Sequence, residues 1–522
     1  MLKNYFTKKN LNFKYLVLIF LIVYSSWCAL NIGMHWDANT HLNSGVNKLR
    51  YLFSFGRVEN FAHFDKYFPG ISFAIYAFII KIFPQNFKIE ILHFVNLIYS
   101  ISGIIVFCHV TKKLFNKKFR DVFFLVLITF AVYFGHMAIN LKDAVMATSY
   151  LWVYYLTFKY LKKKDKFNLE SLLIFSFILS VGTGVRLVFI SSLLPLIILT
   201  LIEIHIFKKI IKKSFDIKKF YFDLFKITIL FYLILLIFWA ETHENILLLP
   251  FKILIDSLQT DKLIGVGYSI LNGDIFTLDQ SPKSYFLINL FFKTPEYLII
   301  SLFYFFYIFA FKNEELKKIF KNFNYIIFAV LFIIIFTNLI FLFSPFGFYD
   351  GIRQFLFIIP IILILPVISI VFCLQNMKQI SNKIFIFAIT PLILMYAFNF
   401  ISLTPYHYTY LNIFAKNHEL NFENDYLGTS IKNLIKKSNF LNTGSTKVTF
   451  CGYDRNNLKY YFKKFGYSNI QIVRYNEDPQ YIIMLNRVTS KNSNCFVDFQ
   501  ELEDVSFIKS NDIILSRIKK YN

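Results

Sequence analysis

Gly70–Phe83 reads GISFAIYAFIIKIF, and its placement decides the fold. The run is almost wholly apolar but only 14 residues long. A helix needs roughly 20 residues to cross a bilayer, so a run of this length fits an interfacial position better than a spanning one. Charge parity tests the choice. The preceding apolar run, about Lys14–Gly33, leaves from a flank carrying Lys3, Lys8, Lys9 and Lys14. Short basic blocks mark the cytoplasmic side, so that first span exits outward. The following run, about Ile89–Val110, ends at Lys112-Lys113 and Lys117-Lys118-Phe119-Arg120. If Gly70–Phe83 spanned, that block would lie outside. If it rests on the outer surface, the block lies inside. We read Gly70–Phe83 as a juxtamembrane helix after a polar first external loop, residues 34–70.

With parity set once, the other segments alternate without conflict. Val122–Asn140 runs out and Ala144–Leu161 returns to Lys162-Lys163-Lys164. Leu172–Thr183 and Val185–Ile206 form a tight pair, followed by basic Lys208–Lys219. Phe225–Ala240 leads out to a long polar segment, Glu241–Ser284. Tyr285–Phe311, Tyr325–Phe343, Gln354–Leu374 and Ile384–Leu403 complete eleven expected spans. The expected fold class is a polytopic α-helical membrane protein of about 11 spans plus the juxtamembrane helix.

Composition agrees. The chain has 522 residues, 56% hydrophobic and 20% aromatic, with mean hydropathy +0.51. A soluble core does not need that much apolar surface. The net charge of +24 sits in short blocks between apolar runs, which reads as topology and excludes a nucleic-acid partner. The basic N-terminus precedes an apolar run without a small-residue cleavage site, so an uncleaved first helix is expected. The five Cys contain no CxxC pair and no metal-site spacing.

From Thr404 the composition turns polar. Lys447–Phe450, Ile470–Val473 and Tyr481–Met484 alternate as strands, and Asn424–Lys437 reads as a helix with an Asn or Asp near its start. Residues 405–522 are therefore expected to form a small α/β domain outside the membrane, after a transmembrane module at 1–404. There Cys451 and Cys495 would meet an oxidising compartment, where pairing and two free thiols are both open.

Four polar motifs face the same outer side: His35–His41 (HWDANTH), Lys142-Asp143, Gly184–Arg186 and Tyr349–Arg353. Each has a plain reading. Asp37 and Asp143 sit where helix caps sit. Arg353 begins a span and can snorkel to lipid phosphate. His41 can be a loop residue, and His136 and His407 read as hydrogen-bonded structural residues. Ionisable groups at membrane helix ends are costly unless paired, hydrated or functional. Together they offer carboxylates to activate a hydroxyl and cations to hold a phosphate.

The motifs resemble those of the GT-C superfamily of polytopic glycosyltransferases, most of all its family-39 group, which includes protein mannosyltransferases and the aminoarabinose transferase of lipid A. The likeness rests on Asp37 after the first helix, Tyr67-Phe68-Pro69-Gly70 opening a juxtamembrane helix, and Gly135-His136 with Asn140-Leu141-Lys142-Asp143. It extends to Lys293-Thr294-Pro295, Tyr349–Leu356, Pro405-Tyr406 with Tyr410-Leu411-Asn412, and Asn424–Gly428. Leu141, Phe68, Gly70 and Leu427 depart from the family pattern.

The resemblance implies transfer of a sugar from a polyprenyl-phosphate donor to a hydroxyl acceptor (protein, lipid or glycan) on the outer face of the inner membrane. It implies Asp37 as base and Asp143 as its catalytic companion. Lys66, Arg186, Lys293 and Arg353 are candidates for the phosphate, with Arg353 preferred; His41, Tyr67, Lys142, Tyr349 and Asp350 complete the expected substrate-binding set. Oxygen ligands suit Mg or Mn between Asp37 and Asp143, but family-39 members work without metal, so no cofactor is expected. The alternative is a transporter or flippase of lipid-linked sugars. It would place polar residues near the midplane in repeated halves, whereas here they crowd one rim and the halves do not match. A non-enzymatic scaffold would not need them gathered at all.

Overall fold

The computed structural model describes residues 2–58, 61–62, 65–162, 167–211, 215–257, 268–343, 347–416, 421–442, 445–487 and 502–521. Helices occupy the position of every expected span. Among the described residues, five are long and apolar enough to cross a membrane, and up to seven if each of two bent pairs forms one span.

Ile71–Ile82 is a helix of 12 residues, about 18 Å at 1.5 Å per residue, well short of a roughly 30 Å hydrocarbon core. It packs against a second short helix, Ala38–Phe53, within the segment expected as a polar loop. Ala38, His41, Leu42, Gly45 and Leu49 are its buried stripe, at the i, i+3/i+4 spacing of an amphipathic helix. Polar Asn39, Thr40, Asn43, Ser44 and Asn47 between those positions mask the pattern. At Gly45 a β-carbon would collide with the Phe73 carbonyl, so glycine lets the two helices touch backbone to backbone. Gly70 opens the second helix from the left-handed region (φ +76°), and its N–H donates to the Gly184 carbonyl at 2.7 Å.

Two expected spans are broken. Lys117–Ile128 and Ala131–Ile139 meet at 68°, without Pro or Gly at the break. Tyr396 supplies the cause. Its hydroxyl donates to the Thr129 carbonyl at 2.5 Å and accepts from the Ala131 N–H at 2.9 Å. The freed backbone groups are thus satisfied by an inserted side chain. Tyr285–Phe292 and Glu296–Phe311 meet at 113°, across Lys293-Thr294-Pro295; proline cannot donate the ladder hydrogen bond and disfavours helix in the residue before it. The expected span Gln354–Leu374 starts late. Arg353–Phe355 is a 3-10 turn, and regular helix begins at Ile359.

The polar segment after Ile217–Phe238 contains the helix Leu249–Asp256 and a hairpin, β1 (Tyr268–Leu271) and β2 (Asp274–Thr277). The C-terminal sheet contains β3 (Thr446–Cys451), β4 (Ile470–Ile472), β5 (Tyr481–Leu485), β6 (Asp504–Ser510) and β7 (Ile513–Lys520). Its order is β4-β3-β5-β7-β6, with β3 parallel to both β4 and β5 and β7 antiparallel to β5 and β6. Helix Arg455–Lys464 crosses over from β3 to β4. The three predicted strands are β3, β4 and β5. The predicted helix Asn424–Lys437 is shorter, Ile431–Lys437, because Gly428 takes φ +71° and the Asp425 carboxylate accepts the Thr429 and Ser430 N–H groups in a turn ahead of it. Cys451 is disulfide-bonded; Cys495 lies outside the described residues.

Candidate active site

Asp37 is not a helix cap in function. It occupies the N-cap position of Ala38–Phe53, but its side chain makes no capping hydrogen bond. Instead the carboxylate accepts from Lys142 Nζ at 3.1 Å. Burial would raise this carboxyl; the adjacent ammonium outweighs it and holds the group well below the ordinary carboxylate range. His41, one turn on, lies 3.8 Å away, and burial followed by the Lys142 charge pushes its imidazole down to about 3. At neutral pH it is an uncharged neighbour. His35 accepts the Asp37 N–H on Nδ1 at 2.9 Å and so fixes the backbone of the loop. Phe68 and Phe73 wall this corner. His41 stacks on Phe73 with centroids 4.5 Å apart, and Lys142 Nζ sits 5.5 Å from the Phe68 ring centre.

Asp143 is not the cap of its helix either. Asn140 takes that role, its Oδ1 accepting from Lys142 N–H at 3.1 Å and Asp143 N–H at 2.8 Å. The Asp143 carboxylate is left to meet Arg186 Nε at 2.7 Å, Arg353 Nε at 3.9 Å and Asn140 Nδ2 at 3.0 Å. His136 orders this shell. It faces Asn140 with Nδ1 at 3.1 Å and Tyr426 with Nε2 at 3.0 Å.

Arg353 is 1% exposed and lies between Asp143 and Asp350. Its Nη2 lies 2.5 Å from Asp350 Oδ2 and its guanidinium 4.9 Å from the Tyr349 ring centre. Asp350 sits at φ +57° and Gly351 at φ +67°, two successive left-handed residues that turn the carboxylate back onto Arg353. Strain of this kind persists only where the surroundings over-determine it, as the Gly351 N–H to Tyr285 Oη bond at 2.8 Å does here. Lys293, at the 113° corner, is buried with its Nζ 5.9 Å from the Tyr426 ring centre. Lys293 Nζ and Arg353 Nε and Nη1 have no hydrogen-bond partner among the described residues. These are buried cationic donors without an acceptor, the arrangement an anionic ligand completes.

The structure thus brings together Asp37, Asp143, His41, Lys142, Arg186, Tyr349, Asp350 and Arg353, with Lys293 beside them. Tyr67 is buried with Leu187, Leu235, Trp239 and Ile253, the Lys66 carbonyl accepts from Trp239 Nε1 at 2.8 Å, and Lys66 Nζ lies 5.1 Å from the Tyr67 ring centre. Sequence reading missed two residues that converge on Asp350. Arg487, just after β5, comes within 3.6 Å of Asp350 Oδ1 and lies 4.6 Å from the Trp36 ring centre. Glu423 is buried, and burial together with the Asp350 carboxylate pushes it far above the ordinary range. Asn424-Asp425-Tyr426 flagged the vicinity of Glu423; nothing local marks Arg487. A divalent ion bridging Asp37 and Asp143 would have to displace Lys142 and Arg186, and no group of three His, Cys, Asp or Glu side chains placed to hold a metal occurs among the described residues.

Neither a protein-family model nor a curated relative matches the chain. Solved structures do. ArnT from Cupriavidus metallidurans bound to undecaprenyl phosphate aligns over 97% of this chain and 98% of its own, at 10% identity and TM-score 0.50. The apo state of ArnT from the same organism aligns over 97% of each chain, at 10% identity and TM-score 0.48. Over nearly its whole length, this chain has the fold of the undecaprenyl-phosphate-bound ArnT.

Proposed function

We propose that the protein is a membrane glycosyltransferase that moves a sugar, hexose or pentose, from a polyprenyl-phosphate donor to an acceptor hydroxyl on the extracytoplasmic face of the inner membrane. On this reading eleven spans and two juxtamembrane helices make up residues 1–404, and 405–522 form the outer domain. One observation carries it: two acids, Asp37 and Asp143, and the unpartnered donors of Arg353 and Lys293 gather in one buried cluster at helix ends. The fold shared with a protein that binds undecaprenyl phosphate supports the donor class.

Asp37 faces the acceptor hydroxyl. As the acceptor oxygen bonds to the anomeric carbon, the carbon–oxygen bond to phosphate breaks and the phosphate leaves with the electron pair. Asp37, held ionised by Lys142, offers negative charge to the electron-poor sugar and receives the hydroxyl proton. A carboxylate of low pKa is a weak base, so the proton moves late, once bond formation has acidified the hydroxyl. Arg353 and Lys293 stabilise the charge gathering on the phosphate. Asp143 keeps Arg186 and Arg353 in place. The scheme needs no metal.

The test is transfer by membranes or purified protein with a panel of polyprenyl-phosphate sugars, comparing wild type with Asp37→Asn. Loss of about 10²–10⁴-fold is expected for removing the base, with undecaprenyl phosphate still bound. Full transfer by Asp37→Asn would exclude the assignment of the base. No turnover of any donor by wild type would move the protein to the transporter class.

A further inference from the structure

The C-terminal sheet does more than sit beside the cluster. β3 and β5 are adjacent parallel strands, with Cys451 opposite Met484. The segments leaving their carboxyl ends both reach the loop that carries Asp37. Carboxyl ends of parallel strands are the edge from which open sheets present functional residues. After β3, the Tyr453 hydroxyl donates to the Met34 carbonyl at 3.3 Å. In the crossover helix, Tyr461 Oη accepts the Met34 N–H at 2.5 Å. Asn457 is buried between the two units. Its Nδ2 donates to the Trp36 carbonyl at 2.8 Å and the His35 carbonyl at 3.3 Å, while its Oδ1 accepts from Asn39 Nδ2 at 2.6 Å. The backbone leading into Asp37, and the Asn39 side chain just after it, are therefore held by a unit more than 400 residues away in sequence.

Arg487 leaves the end of β5. Asn486 ties that end down, through its N–H to the Leu515 carbonyl at 2.9 Å and its Nδ2 to the Ile514 carbonyl at 3.0 Å. From this anchored position the guanidinium covers Trp36, the residue before Asp37, and faces Asp350, the partner of Arg353. A planar cation suits both at once, stacking on an aromatic face and pairing with a carboxylate. Arg487 thus touches both the Asp37 loop and the Asp350–Arg353 turn from the outer domain.

We propose that Arg487 is a positioning residue of the transfer site: through Trp36 and Asp350 it sets the distance between the Asp37 corner and the Arg353 corner, so that the C-terminal domain is a working part of the enzyme and not a cover. The inference rests on the transferase reading. Arg487 touches no reacting atom. Its loss leaves both catalytic corners present but misplaced, and a displacement near 1 Å can cost about 10²-fold in rate.

The experiment measures kcat, donor KM, undecaprenyl-phosphate affinity and thermal unfolding for full-length wild type, Arg487→Gln and Arg487→Lys in nanodiscs. For Arg487→Gln we expect kcat lower by about 10²-fold, with lipid-phosphate affinity and unfolding temperature at wild-type values. Arg487→Lys restores charge but not the planar stack, and is expected to recover part of kcat. A merely structural arginine would lower the unfolding temperature and spare the kcat of the folded fraction; that outcome overturns the proposal. Wild-type kcat in Arg487→Gln overturns it too. Loss of undecaprenyl-phosphate affinity in step with kcat would make Arg487 a phosphate ligand, and again the proposal falls. A wild type that binds the lipid phosphate but transfers from no donor removes the transferase reading, and this inference with it.

Discussion

Lys142 Nζ and Asp37 Oδ2 form an ion pair 3.1 Å long across 105 positions of sequence. The pair joins the loop after the first helix to the start of the helix Asp143–Lys162. It also explains how a buried carboxyl stays ionised: burial disfavours the anion, and the ammonium restores it. The same pair ties the charge state of the proposed base to one side chain.

Lys142→Met should therefore create an acid limb in the rate profile. Without the ammonium, burial lifts the Asp37 carboxyl, and the fraction ionised falls as pH falls. Wild type is expected to hold its kcat/KM down to acidic pH, while Lys142→Met loses it from a higher pH. Superimposable profiles, scaled only in height, would show that Lys142 does not set the ionisation of the base.

Arg353→Gln should lower kcat/KM by about 10²–10³-fold, the loss typical of removing one donor aimed at developing charge. It also leaves Asp350 with only the more distant Arg487, and breaking a buried pair from one side costs up to about 3–5 kcal/mol. Unfolding and kinetics must be measured together. Arg353→Lys, which keeps the charge, is expected to regain stability before it regains rate.

Glu423 predicts the pH dependence of stability. Its folded carboxyl is raised above the ordinary value of 4.5, first by burial and then by Asp350. The folded state thus binds a proton that the unfolded state has released. The contribution is fully present below about 4.5 and is lost as pH rises through the raised folded value. Glu423→Gln should flatten this slope and raise the unfolding temperature most at alkaline pH. A slope that is the same in both proteins would mean that Glu423 is ionised in the fold.

Gly135→Ala tests the packing beneath the Asp143 shell. A β-carbon there meets the backbone of Tyr408, which cannot give way as a flexible side chain can. Helix Ala131–Ile139 and the turn His407–Thr409 would have to separate. The expected cost is about 1–3 kcal/mol, as for overpacking of a close-fitting core. Because His136 follows and holds Asn140, transfer should fall along with the unfolding temperature.

Chelation tests the metal-free scheme. Transfer by wild type after treatment with EDTA should equal the untreated rate. A loss reversed by Mg or Mn, but not by Ca, would require an ion in the cluster and a different role for Asp143.

Much of this was legible in the chain itself. Apolar length and basic flanks located the helices, because bilayer thickness and positive-inside bias act on local composition. A 14-residue run at Gly70–Phe83 was too short to span, and it forms a surface-length helix. Asp37, Asp143 and Arg353 stood out because ionisable groups at membrane helix ends are costly unless they have a partner or a task. The breaks and the partners were not legible. Tyr396 opens the helix at Thr129 from 265 to 267 positions away. Arg487 meets Trp36 and Asp350 only because β5 ends beside the Asp37 loop. Local sequence determines which stretches leave water and which charges are costly to bury. Which of those charges meet, and which backbone an inserted side chain opens, depends on packing between distant segments, and that only the tertiary structure decided.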